Sequence, residues 1–320
     1  MITLYPQPEI NKTILNTPSY ARRNKKDETP SLLTPQQIKM EAANILTGGL
    51  TAGNWRTMDF LATGGIISAK NLFGTDRTLR SLAQMRLLDR LSLDIHDVRV
   101  AFSEVGLPAG DEDTSLYMLG PIGVEIASIR HGVVPPSGYQ AYTPMRIMHD
   151  IATNEIVLRL AEMIGKRGWT VDWLGKYEAT LSDKAGKALL EPDAVIRFRK
   201  DGEDGGDGAF VLEYHNEDWQ TRASFKVDRY EKAILEGNWR EQWEVESFPP
   251  VLVSFLKPIV GAGYQNATKG KKLGCVYYGK TFKSVLEGNL DEWVNIGKGM
   301  KREKILPAVE KVEKKEGEKA

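Results

Sequence analysis

Apolar residues between positions 33 and 93 recur every three or four residues, the period of helices packed on one side. The predicted helices are Pro35–Ile45, Trp55–Thr63, Ser68–Leu72 and Asp76–Arg90. Thr34 can cap the first helix, with Pro35 in its first turn. A turn at Phe73-Gly74-Thr75 separates the short third helix from the longer fourth. A short helix, a glycine-containing turn and a longer helix are typical of a helix-turn-helix.

The pattern changes to alternation after the last of these helices. Stretches around Val98–Phe102 and Leu116–Leu119 alternate like strands, and the polar segment Pro108–Thr114 joins them. Two strands and a loop after the helix over Asp76–Arg90 would form a wing. The sequence therefore predicts a winged helix-turn-helix, and a plain helical bundle with solvated arginines is the alternative.

The helix over Asp76–Arg90 has two different faces. Leu79 and Leu82 fall on the packed side, whereas Arg and Gln side chains, which suit guanine and adenine edges in a major groove, fall on the other. From Lys70 to Arg90 there are five basic residues and two acidic ones. The candidate DNA contacts are Lys70, Arg77, Arg80, Ser81, Gln84, Arg86 and Arg99.

A second pattern of elements follows a cluster of Pro and Gly at Gly132–Pro144, which predicts a linker. The predicted elements are a helix at Met145–Gly165, extended segments at Trp169–Leu174, Lys176–Thr180, Pro192–Phe198 and Ala209–Tyr214, a helix at Trp219–Leu235 and a strand at Val251–Leu256. The order α-β-β-β-α-β requires a mixed sheet flanked by helices. The predicted fold class is thus α+β.

Length and composition indicate how the chain is divided into domains. The chain of 320 residues is long enough for two domains. We expect a flexible arm at 1–30, the winged-helix domain at 31–131, the linker at 132–144, the mixed-sheet domain at 145–299 and a charged flexible tail at 300–320. Lys and Arg (43) balance Asp and Glu (43), so attraction to nucleic acid must come from local patches.

Redox and targeting features point to the cytoplasm. Cys275 is the one cysteine, which excludes an internal disulfide and a cysteine-based metal cluster. The N-terminal residues show no signal-peptide pattern, and no apolar run approaches the roughly 18 residues of a membrane helix. We expect a cytoplasmic protein that makes no membrane contact.

Acidic residues occupy the predicted strands. Asp193 opens one strand and Glu213 lies in the next, with His215 on the same face as Glu213 because strand side chains alternate. Two carboxylates on neighbouring strands can bind Mg²⁺ or Mn²⁺, and such an ion can activate the water that attacks a phosphodiester.

Two residues on helices are further candidates for this site. Lys226 lies on an otherwise apolar helical stripe, a costly place unless its ammonium reaches an anion; the alternative is a lysine that extends to water. Glu155 shares a helical face with Ile151 and Leu158, and is either directed at the site or a solvated helix charge.

Some of these residues form a pattern similar to a known nuclease signature. Pro192-Asp193 and Glu213-Tyr214-His215 resemble the PD-(D/E)XK nuclease signature, which implies a restriction-endonuclease-like domain in which Asp193 and Glu213 bind the metal. His215 replaces the lysine that assists the attacking water. Some nucleases of this superfamily carry that lysine on the following helix, where Lys226 lies.

The run from Leu33 to Leu256 resembles the replication-relaxation family of bacterial plasmids and mobile elements. The segments that carry this likeness are LTPQQ, TLRSLAQMRLLDRL, YMLGPIGVEIA, His149-Asp150, EPDAVIRF, FVLEYHNE and KVDRYEKAIL. Membership implies double-stranded DNA binding in plasmid replication, relaxation or conjugative transfer, without establishing catalysis.

Three functional hypotheses result. The first is a DNA-binding protein with a metal-dependent nuclease or nickase domain. The second is a non-catalytic repressor or copy-control factor whose second domain forms a homodimer or binds DNA, which His215 favours. The third is a docking factor for replication or conjugation proteins, for which an exposed pair of Trp239 and Trp243 would be suited.

Overall fold

The structure, a computed structural model, describes residues 2–5, 33–68, 76–91, 93–110, 115–132, 135–136, 139–183, 185–200, 206–217, 219 and 221–306. Within these ranges the chain is α+β, with one large mixed sheet and helices against it. The candidate contact Lys70 and most of the helix expected at Ser68–Leu72 lie outside the described residues.

The described residues of the first part of the chain form five helices and four short strands. They are β1 (Ile2–Tyr5), α1 (Pro35–Gly48), α2 (Ala52–Gly64), β2 (Ile66–Ser68), α3 (Asp76–Gln84), β3 (Leu88–Arg90), α4 (Ile95–Glu104), β4 (Leu116–Leu119) and α5 (Pro121–His131). The first two predicted helices are confirmed as α1 and α2. Thr34 closes a capping box with Gln37 at the start of α1.

Helix α3 is shorter than the sequence predicts. It ends at Gln84 because the chain turns at Arg86, which adopts a left-handed conformation with φ 61°. The Leu87 amide donates to the Leu82 carbonyl, and the Arg86 amide to that of Ala83, so the helix closes in a Schellman motif. The residues that follow form β3 instead of another helical turn. Ser68, expected to begin a helix, lies in β2.

The expected strand at Val98–Phe102 is wrong, since these residues belong to α4. Asp94 starts this helix by accepting hydrogen bonds from the His96 and Asp97 amides. Val98, Ala101 and Phe102 are buried at helical spacing, whereas the alternation of Val98, Val100 and Phe102 is the pattern that suited a strand. Strand β4 at Leu116–Leu119 is confirmed, and it pairs antiparallel with both β2 and β3.

The second part of the chain builds the large sheet. Its elements are a 3₁₀ helix (Tyr139–Ala141), α6 (Pro144–Gly165), β5 (Thr170–Gly175), α7 (Lys176–Ala179), β6 (Leu181–Ser182), β7 (Ala188–Leu190), β8 (Ala194–Lys200), β9 (Gly206–His215), α8 (Thr221–Glu236), α9 (Trp239–Trp243), β10 (Val251–Phe255), α10 (Pro258–Thr268), β11 (Tyr277–Thr281), α11 (Phe282–Leu286), β12 (Glu292–Asn295) and β13 (Lys301–Lys304). The predicted order of helices and strands up to residue 256 is largely confirmed.

The sheet order is β1-β5-β8-β9-β10-β11-β12-β13. Strands β5, β8 and β9 are antiparallel neighbours, whereas β10 runs parallel to β9 after the crossover through α8. Helix α6 covers one face of the sheet, and helices α8 and α10 cover the other. The segment Lys176–Thr180, expected to be extended, is the short helix α7 followed by one residue, because Glu178 turns back to cap it at the Gly175 amide.

Three parts of the domain plan need correction. Residues 2–5, assigned to a flexible arm, pair with β5 as an edge strand. Lys301–Lys304, assigned to the tail, pair with β12. The two separate cores expected on either side of residues 132–144 are one continuous core, because the buried cluster that contains Ile45 and Leu79 also contains Ala194 and Leu212. Tyr139, within the expected linker, is itself buried.

Candidate functional site

The site is centred where β8 begins beside the end of β9. Asp193 immediately precedes β8, and its amide donates to the Leu212 carbonyl at 3.1 Å. Its carboxylate oxygen Oδ2 accepts from the Tyr214 amide at 2.8 Å. Asp193 is therefore bound to β9 through both its backbone and its side chain, next to Glu213.

Glu213 points into the face of the sheet covered by α8 and is only 1% exposed. The ammonium of Lys226 lies 2.9 Å from its Oε1 and 2.7 Å from its Oε2. The hydroxyl of Tyr230, one helical turn further along α8, donates to Oε1 at 2.7 Å. Lys226 also donates to the Glu191 carbonyl, so its place on the apolar stripe is explained by an anionic partner.

Burial and charge act in opposite directions on these groups. Burial favours the neutral amine, yet the negative charges of Glu213 and Asp193 raise the pKa of Lys226 above its ordinary value. Burial likewise opposes ionisation of Asp193, but the positive charges of His149 and Lys226 and the Tyr214 amide lower its pKa. Both groups are therefore charged at neutral pH. The ammonium of Lys226 interacts with both carboxylates.

His149 belongs to this site, although its position in the sequence indicates no role beyond the family resemblance. Its Nε2 lies 3.6 Å from Asp193 Oδ2 and 3.1 Å from the Tyr214 carbonyl, and its Nδ1 lies 3.3 Å from Asp150 Oδ1. Burial lowers the pKa of His149, but the charges of Asp193 and Asp150 outweigh it and raise the pKa. A polar histidine on the otherwise apolar face of α6 was the signal available for it.

His215 lies on the same face as Glu213 but has partners of its own. Its Nε2 lies 2.8 Å from the Tyr264 hydroxyl, and its Nδ1 lies 3.0 Å from Glu217 Oε1. With 2% of its surface exposed, it is fixed between α10 and the loop after β9. These two contacts occupy both ring nitrogens, so a metal-ligand role for His215 would require one of them to break.

Glu155 is not brought to the site. Its carboxylate pairs with Arg159 at 2.6 Å, and the same guanidinium donates to the Leu286 carbonyl of α11. A cleft beside Asp193 is lined by other residues of α6, namely Arg146, Asp150, Thr153 and Asn154. Glu155 is thus a half-exposed helix charge.

The two carboxylates offer oxygen ligands for a divalent ion, but they are already engaged. Both oxygens of Glu213 face Lys226, and an ion bound between Asp193 and Glu213 would have to displace this ammonium. Across the described residues no group of three or more His, Cys, Asp or Glu side chains is arranged to hold a metal. A bound ion would therefore rely on water for most of its ligands.

The candidate DNA contacts are divided between α3 and its neighbours. Arg77, Arg80, Ser81 and Gln84 are all exposed on α3, opposite the buried Leu79 and Leu82. Arg86 lies beyond the end of this helix, partly buried and 3.9 Å from Asp89. Arg99, expected on a wing strand, lies on α4 and is partly buried.

The tryptophan pair on α9 is buried. Trp239 is 3% exposed and Trp243 is 0% exposed, and both rings pack against Phe248. The indole of Trp243 also donates to the Ala179 carbonyl. The docking hypothesis required this pair to be exposed, and the side chains instead belong to the core under α8 and α10.

Comparison of the chain with protein-family models, with curated proteins and with solved structures gave no match. Within the described residues, the helices are too short or too polar to cross a membrane.

Proposed function

We propose that this chain is a DNA-binding protein with a restriction-nuclease-like second half, in which Asp193, Glu213 and Lys226 act on a phosphodiester. The observation that carries the proposal is the contact of Lys226 with both oxygens of Glu213, next to Asp193 on the neighbouring strand. An acidic pair beside a lysine is the constellation that metal-dependent phosphodiester hydrolysis uses.

The connectivity around these residues supports the proposal. Apart from the short elements α7, β6 and β7, the order is α6-β5-β8-β9-α8-β10, with three antiparallel strands followed by a parallel one. This agrees with the α-β-β-β-α-β order that the resemblance to restriction-type nucleases implies. Lys226 comes from α8, the helix after the strand of Glu213. This arrangement is the one expected when the lysine of the signature is carried by the following helix.

The charges of the site suggest different roles for its carboxylates and its lysine. When bound, a divalent ion would polarise the phosphodiester and lower the pKa of its water. Asp193 and Glu213 would supply its protein oxygens. Lys226, whose pKa is raised, stays protonated and would offset negative charge on the phosphate as the bond breaks. His149 would hold Asp193 in position through its Nε2.

The first part of the chain would supply DNA binding. Helix α3, with its exposed polar face, lies in the chain between β2 and β3, and these two strands join β4 in a three-stranded sheet of order β2-β4-β3. A small sheet beside such a helix supports the proposal of a winged helix. Helix α4 is inserted between β3 and β4, where a simple wing has a loop. We infer a winged-helix-type module that reads double-stranded DNA, in the plasmid or mobile-element process that the family resemblance implies.

The test is incubation of supercoiled and linear DNA with Mg²⁺, Mn²⁺ or EDTA. We expect nicking or cleavage by the wild type with an ion and none with EDTA, and loss in Asp193→Ala and Lys226→Met. Glu236→Gln, an exposed carboxylate on the same helix as Lys226, serves as the matched control and should remain active. Cleavage that persists in the folded Asp193→Ala protein would refute the nuclease proposal.

One observation favours a second candidate, the non-catalytic DNA-binding regulator. Glu213 is saturated by Lys226 and Tyr230 and is almost fully buried, as expected for a structural ion pair. A regulator would bind DNA with equal affinity in EDTA and in Mg²⁺ and leave it intact. Size-exclusion chromatography would then test whether its second half forms the homodimer.

A further inference from the structure

A narrow cleft lies between the two halves of the chain, on the side of Asp193 away from Lys226. Thr153 of α6 and Trp173 of β5 line it, and these side chains are 5% and 1% exposed. Neither Thr153 Oγ1 nor Trp173 Nε1 has a hydrogen-bond partner among the described residues. A buried donor without a partner is costly, so these two groups indicate an acceptor that the free chain does not provide.

The charges at the cleft favour an anionic acceptor. Arg146 and Lys176 both line it. The two carboxylates that also line it, Asp150 and Asp193, are each within 3.6 Å of a His149 nitrogen. His149 contacts both carboxylates, so each already has a partner within the protein. The groups left to meet a ligand are mainly hydrogen-bond donors and cations.

The size of the cleft limits what can enter it. It offers about 40 Å³, and a buried water needs roughly 10–15 Å³ counted in the same way. The space is therefore that of about three or four waters. This space is sufficient for the oxygens of one phosphate group.

We propose that this cleft is a phosphate-binding subsite, in which Thr153 Oγ1 and Trp173 Nε1 donate to phosphate oxygens and Arg146 and Lys176 balance their charge. The phosphate belongs either to a phosphodiester of a nucleic-acid strand or to a free phosphate or monoester. Only the first source rests on the proposed DNA function. The subsite lies next to Asp193, so a bound strand would continue from it past the carboxylates.

The probe is inorganic phosphate, titrated calorimetrically into the full chain without divalent ions, with sodium chloride at matched ionic strength as the blank. Thr153→Val removes the hydroxyl and keeps the shape, and Arg146→Gln removes the charge. Lys232→Gln, an exposed cation on α8 remote from the cleft, is the matched control. Urea midpoints of all variants are measured, and Thr153→Val should match the wild type because its hydroxyl makes no bond in the free protein.

We expect saturable phosphate binding that Thr153→Val weakens about two- to tenfold, the effect of removing one neutral hydrogen bond. Arg146→Gln should weaken it about tenfold or more, since the variant cannot form a charge-assisted hydrogen bond. Lys232→Gln should bind like the wild type. Two results would overturn the subsite: no phosphate binding beyond the chloride blank, or an affinity for phosphate in both Thr153→Val and Arg146→Gln that equals that of the wild type.

A second titration identifies the source of the phosphate. A single-stranded deoxyoligonucleotide without terminal phosphates carries only phosphodiesters. If it competes with inorganic phosphate for the wild type, and Thr153→Val weakens this competition, the subsite binds the phosphodiester of a strand. Phosphate binding without such competition assigns it to a free phosphate or monoester. If the chain binds phosphate but does not cleave DNA, the phosphate subsite stands and the nuclease proposal fails. If it cleaves DNA but does not bind phosphate, only the subsite proposal fails.

Discussion

The buried pair of Glu213 and Lys226 gives the sharpest prediction about stability. In Lys226→Met the carboxylate of Glu213 still accepts the hydrogen bond from the Tyr230 hydroxyl but loses its counter-charge. Glu213 is 1% exposed, so water cannot replace that charge. Removing one partner of a buried ion pair costs about 3–5 kcal/mol, because the other charge is left uncompensated. With a urea m-value of about 3 kcal/mol/M, the denaturation midpoint should fall by about 1 M or more.

The double variant separates this reasoning from a simple packing defect. In Glu213→Gln with Lys226→Met no charge remains, and the amide oxygen can still accept from Tyr230. We expect at least half of the lost stability to return, measured by urea denaturation followed by circular dichroism. Lys232→Met, an exposed lysine of the same helix, should change stability by about 0.5 kcal/mol or less. A single-variant loss below about 1 kcal/mol, or a double variant no more stable than Lys226→Met, would refute the argument.

Three further predictions concern other parts of the chain. Arg77→Ala with Arg80→Ala should weaken duplex binding by about 1–3 kcal/mol for each arginine that reads a base, measured by fluorescence anisotropy, whereas Arg56→Ala on exposed α2 surface should not. Burial opposes ionisation of Asp59, but contacts with His131 and Arg130 outweigh it and lower the pKa of the carboxyl. The ionised carboxylate therefore stabilises the fold above pH 3.8, and this stabilisation is lost as the pH falls through the lowered pKa of the folded state. Asp59→Asn should lower the free energy of unfolding by about 1–3 kcal/mol at pH 7, and urea titrations of the variant should lack this loss of stability in acid. Proteolytic nicking within residues 132–138 should yield two pieces that co-elute in size-exclusion chromatography, because they share one core.

Each of these has a clear contrary outcome. Equal DNA affinity in the folded double arginine variant would remove α3 as the reading helix. An Asp59→Asn protein that loses as much stability as the wild type when the pH falls below 3.8 would exclude Asp59 as the source of that loss. Nicked pieces that separate and refold independently would show that each half has a sufficient core of its own.

Local sequence patterns were sufficient to predict much of the secondary structure and two residues of the site. Helical periodicity and the Thr34 cap predicted α1, and continuous apolar runs predicted β8, β9 and β10, because these patterns are local. Strand alternation fixed the phase of Glu213, and the apolar stripe of α8 marked Lys226 as a residue in need of an anion. Both signals depend only on neighbours within one element.

Tertiary structure decided what the local pattern left ambiguous. Val98–Phe102 suited a strand as well as a helix, and packing together with the Asp94 cap selected the helix. Residues 2–5 read as a polar arm because the partner that orders them, β5, lies more than 160 positions away in the sequence. The exposure of Trp239 and Trp243 could not be read from their spacing, which is the same for a packed and a solvated pair.

The site itself is a product of the sheet. His149, Asp193 and Lys226 come from three elements, and only the pairing of β8 with β9 between α6 and α8 brings their charges together. The same holds for the cleft, whose unpartnered donors on α6 and β5 are recognisable only once burial is known. A sequence specifies which side chains can ionise or donate, and the fold decides which of them lack water and must find one another.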